Sequence, residues 1–256
     1  MRYGDVDVST QLLILFRIFT FFGGFIIISN LIVLLVINTN SELRVKMCLH
    51  SFSAVADLVG GISFFMAGHE RKLLLFNQHY YVNASPWECM TRRSWPPLYI
   101  IGGQLTALTK FALSTEYYIA IRYATLYKVA WSIRHKIILG SASCVLSLMN
   151  TGLAFLAAYS SPNSYSTMLC SITRSTGNIF GVFHFILIAL SYVLSAIVAF
   201  LIYKKMKKLQ SGVIETNRHL VTLITMLISI ICIVLPMFVI LAREYHIITV
   251  DDFVSG

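Results

Sequence analysis

A chain of 256 residues that is 57% hydrophobic and 12% charged, with a mean hydropathy of +0.76, is too apolar to present its surface to water. That excludes a soluble globular domain. The formal charge of +9 calls for no nucleic-acid partner, since basic loops beside an anionic lipid leaflet account for it. Only helices and closed barrels satisfy their backbone in lipid, and apolar runs this continuous lack the alternation of barrel strands, so the expected fold is an all-α transmembrane bundle.

A hydrocarbon layer about 30 Å thick takes roughly 20 residues of helix. Six stretches meet that length, at residues 12–37, 47–68, 98–121, 137–159, 179–203 and 220–242. The first reads as a helix and not a removable signal, because Asp5 and Asp7 precede it where a signal has a basic cluster, and no small-residue cleavage site follows. Asp57 lies in the second span, Lys110 and Glu116 in the third, His184 in the fifth and the kink-forming Pro236 in the sixth. No repeat or low-complexity segment intervenes, so one membrane domain, 1–256, is expected. After Ala242 come fourteen residues, among them Arg243, Glu244, Asp251 and Asp252, and no seventh span fits them.

Short cytoplasmic loops retain Lys and Arg, and this fixes an expected orientation. With the first loop inside, the inner segments hold eleven cations, including Arg44, Lys46, Arg122, Lys128, Lys204 and Lys205, against two acids, Glu42 and Glu215. The outer segments hold seven of each, so the net charge gathers on the inner face and the N-terminus lies outside. Cys48, Cys144 and Cys232 fall in or beside spans, where a thiol behaves as a small apolar residue. Cys89 and Cys170 are both assigned to outer segments, where a disulfide persists, and they are expected to form one. The sequon at Asn83, Asn83-Ala84-Ser85, shares that side, with Pro86 after it.

Enzyme chemistry has no support: no helical HExxH, no Gly-x-Ser-x-Gly, no phosphate-binding glycine loop, and seven histidines without metal-ligand spacing. Each intramembrane polar residue has two readings. Glu116, at the inner end of the third span, is either a carboxylate that exchanges partners as the bundle opens or a snorkelling acid. Lys110 either pairs with Asp57 or meets a ligand, and His184 either faces a pocket, for which Gln104 and Tyr192 are the companion candidates, or bonds across helices.

The string EYYIAIRYATLY, from Glu116 to Tyr127, resembles the signature at the end of the third helix of rhodopsin-like receptors, matching at Glu116, Ile119, Ala120, Ile121 and Tyr127. SNLIVLLVI around Asn30 resembles their first-helix asparagine motif. Ala56, Asp57 and Leu58 resemble the second-helix Ala-Asp-Leu, and Cys232 to Pro236 the sixth-helix element. More narrowly, Glu116, Ala120, Ala124 and Tyr127, with CMTRRSWPPLYIIGG upstream, resemble the nematode serpentine chemoreceptors of the Sra superfamily over about residues 10–242.

The resemblance implies a G-protein-coupled receptor of sensory-cell plasma membranes, with a rhodopsin-like bundle. A small odorant or pheromone-like ligand would enter from outside, and a heterotrimeric G protein would dock at the inner face. It implies an inner switch at Glu116, Tyr117, Arg122 and Tyr127, and a polar network of Asn30, Asp57 and Lys110 with a sodium ion near Asp57; helix packing is the other reading of Asn30 and Asp57. Two departures qualify this. Tyr117 stands where the family has arginine, and Arg122, six residues beyond Glu116, falls on another face. The seventh helix of such receptors has no counterpart here, which implies a shortened form with impaired signalling. A transporter or channel component lined by Asp57, Lys110 and Glu116 is the alternative, although inverted repeats are not apparent.

Overall fold

The computed structural model describes residues 3–77, 82–161, 166–167 and 170–208, together with 224, 228 and 231. In chain order the elements are α1 (Tyr3–Thr39), α2 (Ser41–Lys46), α3 (Cys48–Phe76), β1 (Asn83–Ala84), α4 (Pro86–Arg92), α5 (Trp95–Arg122), α6 (Ala124–Ala130), α7 (Ile133–Tyr159), β2 (Ser166–Thr167), α8 (Ile172–Thr176) and α9 (Asn178–Lys208). Among the described residues, four helical stretches are long and apolar enough to cross a membrane: Thr10–Thr39, Cys48–Phe76, Ile133–Tyr159 and Asn178–Lys207. The chain is therefore an all-α integral membrane protein. The expected span 220–242, with Cys232 and Pro236, lies outside the described residues apart from three positions, as do 209–219 and 243–256.

α7 is inside out relative to a helix of a water-soluble bundle. Along α7 the buried positions are Lys136, Gly140, Ser143, Ser147, Asn150, Thr151, Ala154 and Ala158, spaced three or four apart where separate. Ile138, Val145, Leu148, Met149, Leu153 and Leu156 face outward. Small and hydroxyl residues belong inside because, in lipid, close backbone approach and polar bonds hold helices together, while apolar bulk is at home on the outside. Sequence hydropathy consequently finds the lipid-facing helices best. α5 is 28 residues long yet falls short as an apolar span. No residue from 95 to 121 is exposed, so α5 can carry Gln104, Thr109, Ser114 and Glu116 without presenting them to lipid. α3 also continues to Phe76, beyond the expected end at 68: His69, Glu70, Arg71 and Lys72 end the apolar run without breaking the helix.

The chain forms two compact units, Met1–Thr109 with Ser132–His184, and Lys110–Trp131 with Phe185–Gly256, and the boundaries at 109 and 184 fall inside α5 and α9. In the first unit α1 crosses α3 at glycines. A Cβ on Gly23 would lie 2.5 Å from the Phe65 backbone nitrogen, and one on Gly68 would lie 2.6 Å from the Phe16 carbonyl oxygen. Phe64 of α3 meets Phe19 of α1 and Tyr99 of α5 edge-on. Ser147 of α7 donates to the Ile101 carbonyl of α5 at 3.1 Å. Lys136 is buried and donates to the Lys46 carbonyl at 3.0 Å, tying the α2–α3 turn to the start of α7. The described part of the second unit comprises residues 110–131, which hold the end of α5 and all of α6, and 185–208 of α9, with 224, 228 and 231.

Candidate functional site

The N-terminal end of α5 lies in a cross-linked cap. Cys89 of α4 and Cys170, which precedes α8, are 81 residues apart in sequence and form a disulfide with Cα atoms 5.5 Å apart, as expected. Around the sulfurs pack Ala67, Ala84 and Trp95, with Met66 against them. Ser85 caps α4 in a capping box with Glu88, and β1 pairs antiparallel with β2. Arg71 lies 4.1 Å over the Trp95 ring, and Arg93 reaches Glu70 at 3.4 Å, so polar side chains on α3 brace the same cap. Cys170 takes a φ of 47°, a left-handed conformation costing a non-glycine residue about 1 kcal/mol, which the covalent link holds in place.

Deeper in the first unit, the Gln104 amide nitrogen donates to Nδ1 of His184 at 3.0 Å. Both residues are fully buried. The Gln104 carbonyl oxygen is buried without a hydrogen-bond partner among the described residues. At 1.5 Å per residue the pair lies about 13 Å along α5 from Trp95, two to three turns beyond the cap. Thr106 of α5 donates to the Asp57 carboxylate of α3 at 3.0 Å. Asn30 donates instead to Ile26 in its own helix at 2.9 Å, and no described bond joins it to Asp57. Lys110 is half-buried, and Tyr192, buried, belongs to the second unit.

In that second unit, the Tyr127 hydroxyl donates to the Glu116 carboxylate at 2.8 Å, joining two of the four expected switch residues. On one straight helix, residues eleven apart would be about 16 Å apart, so the contact needs the break at Tyr123 between α5 and α6. Glu116 is buried, Tyr127 stacks on Trp131 with ring centres 5.9 Å apart, and burial, then the bond to the carboxylate, raises the phenol's pKa well above the tyrosine range. Arg122 is exposed with its guanidinium 5.8 Å from the Tyr123 ring, and Tyr117 is half-buried.

Lys205 of α9, like Thr106, was missed from the sequence, where it counted as one more loop cation. Its ammonium donates to the carbonyls of Ile121 at 2.9 Å and Arg122 at 3.3 Å. A helix's last carbonyls lack intrahelical partners and carry the negative end of its dipole, so a cation there closes α5 chemically. No group of three or more His, Cys, Asp or Glu that could hold a metal ion occurs among the described residues. No protein-family model matches the chain, and a search of curated proteins finds no match.

Proposed function

We propose that the chain is a chemosensory receptor with a rhodopsin-like bundle of six spans, its N-terminus and cap outside and the Glu116–Lys205 region inside. A small odorant or pheromone-like molecule is its ligand, and a heterotrimeric G protein its partner. The observation that carries this reading is the Cys89–Cys170 bridge, which ties the entry to α5 to the segment between α7 and α9, both outer segments in the expected orientation. Beyond it, Gln104 and His184 offer a buried acceptor and an imidazole to a ligand. At the other end of α5, Glu116 is held by Tyr127 and the last carbonyls by Lys205, contacts that an inward-open state can exchange. With Tyr117 in place of arginine, the cationic contact to a G protein falls to another residue. The Asp57 carboxylate and the Thr106 hydroxyl would supply oxygens to a sodium ion there.

The test is nucleotide exchange on a panel of heterotrimeric G proteins by the purified chain in lipid nanodiscs, with and without pools of small volatile and lipid-derived molecules. Exchange above that of empty nanodiscs, weak as the impaired form implies but raised by at least one pool and reduced in Gln104→Ala, supports the receptor. No exchange on any G protein, together with solute or ion flux in proteoliposomes that is lost in Asp57→Asn, would instead establish the transport alternative.

A further inference from the structure

The sequon Asn83-Ala84-Ser85 is built into the disulfide cluster. The Asn83 side chain is exposed, but Asn83 and Ala84 form β1, opposite Thr167 and Ser166 of β2. Ala84 is 2% exposed and packs with Cys89, Cys170 and Trp95. Ser85 accepts from the Glu88 N–H at 3.2 Å, and its own N–H donates to the Glu88 carboxylate at 3.2 Å, with Pro86 fixing the first residue of α4. An N-glycan transferase needs the asparagine amide and the hydroxyl two residues later together on a free, extended chain. Here the acceptor amide is at the surface while the backbone and hydroxyl beside it are engaged.

We propose that Asn83 accepts a glycan only before Cys89 and Cys170 are joined, so that bridge closure and glycan transfer compete for one segment. In the transfer, the Asn83 Nδ2–sugar C1 bond forms and the C1–oxygen bond to a lipid diphosphate breaks. The lipid diphosphate leaves with the bonding pair, and the amide nitrogen gives one proton to a base. In bridge closure, two thiols lose two protons and two electrons to a protein disulfide oxidant, which leaves as a dithiol. Once the bridge is closed, releasing Ser85 means opening the cluster that buries Ala84 and both sulfurs, a sub-global unfolding and not a loop fluctuation.

The inference rests on the outside placement of the cap under the proposed function, and the experiment separates the two. The full chain, carrying an added sequon in an N-terminal extension, is expressed in animal cells and pulse-labelled, and each site's occupancy is read from the mass removed by peptide N-glycosidase. Occupancy at Asn83 should rise at least about twofold in Cys89→Ser and in Cys170→Ser, and in the unmutated chain labelled under dithiothreitol, because each leaves the segment open. Asn83→Gln should abolish the rise, and the N-terminal site should stay constant. Equal Asn83 occupancy with and without the bridge, the N-terminal site being glycosylated, overturns the competition alone. An N-terminal site that receives no glycan, while a known outward-facing control protein does, overturns the orientation and the inference with it.

Discussion

The two ends of α5 are secured by different chemistry. Its N-terminal end follows a disulfide, an apolar cluster with Trp95 at its centre and a capping box, none of which can exchange partners without local unfolding. Its C-terminal end is held by a hydroxyl on a carboxylate and an ammonium on two carbonyls, each a bond with a net worth of about 1–3 kcal/mol. One end is a fixed frame, and the other can change partners at modest cost. That is the asymmetry a sensor needs if a ligand is to act near the frame and be read out at the opposite end.

The largest effects are expected at the frame. Cys89→Ser should destabilise the protein by about 2–5 kcal/mol, at the lower end if helices already in lipid restrict the unfolded chain, and thermal unfolding in detergent should report it as a lower midpoint. Gly68→Leu tests the α1–α3 crossing: a side chain aimed at the Phe16 carbonyl should cost about 1–3 kcal/mol and weaken the helix pair, which cross-linking between cysteines placed on α1 and α3 would detect.

Effects at the C-terminal end should be smaller and local. Tyr127→Phe removes a donor from the buried Glu116 and should cost about 1–2 kcal/mol. Glu116→Gln, which restores an uncharged partner for the phenol, should cost less. The smallest expected effect is at Glu42 in α2, whose pKa is lowered by the hydrogen bond from Lys46 and then by its charge. A depressed carboxyl stabilises the fold above its ordinary pKa and loses that contribution as pH falls through the lowered value. The difference in midpoint between the unmutated chain and Glu42→Gln should thus be flat from pH 7 to 5, shrink in more acid buffer, and be reduced by salt at any pH because the pair is exposed.

Legibility in the sequence followed the side facing lipid. α1, α3, α7 and α9 could be read because lipid-exposed faces must be apolar, whereas α5, unexposed from 95 to 121, is free of that demand and reads weakest. The cysteine pair was legible by its position outside the spans, and the Glu116 and Tyr127 positions came with the receptor resemblance, although their bond did not. Thr106 and Lys205 left no signal. One is a common helix threonine whose partner, Asp57, is 49 residues away, and the other bonds to backbone carbonyls, which no side-chain pattern encodes. The β1–β2 pair, two residues long in each strand, has no periodicity to find.

Hydrogen–deuterium exchange of the chain in nanodiscs tests the asymmetry of α5 most directly. Amides of residues 118–124 should exchange at least about tenfold faster than those of 99–105, and Lys205→Met should accelerate the first group while leaving the second unchanged. Equal protection at both ends, or acceleration of both by Lys205→Met, would mean that α5 opens as a single unit and would contradict a fixed frame joined to an exchangeable end.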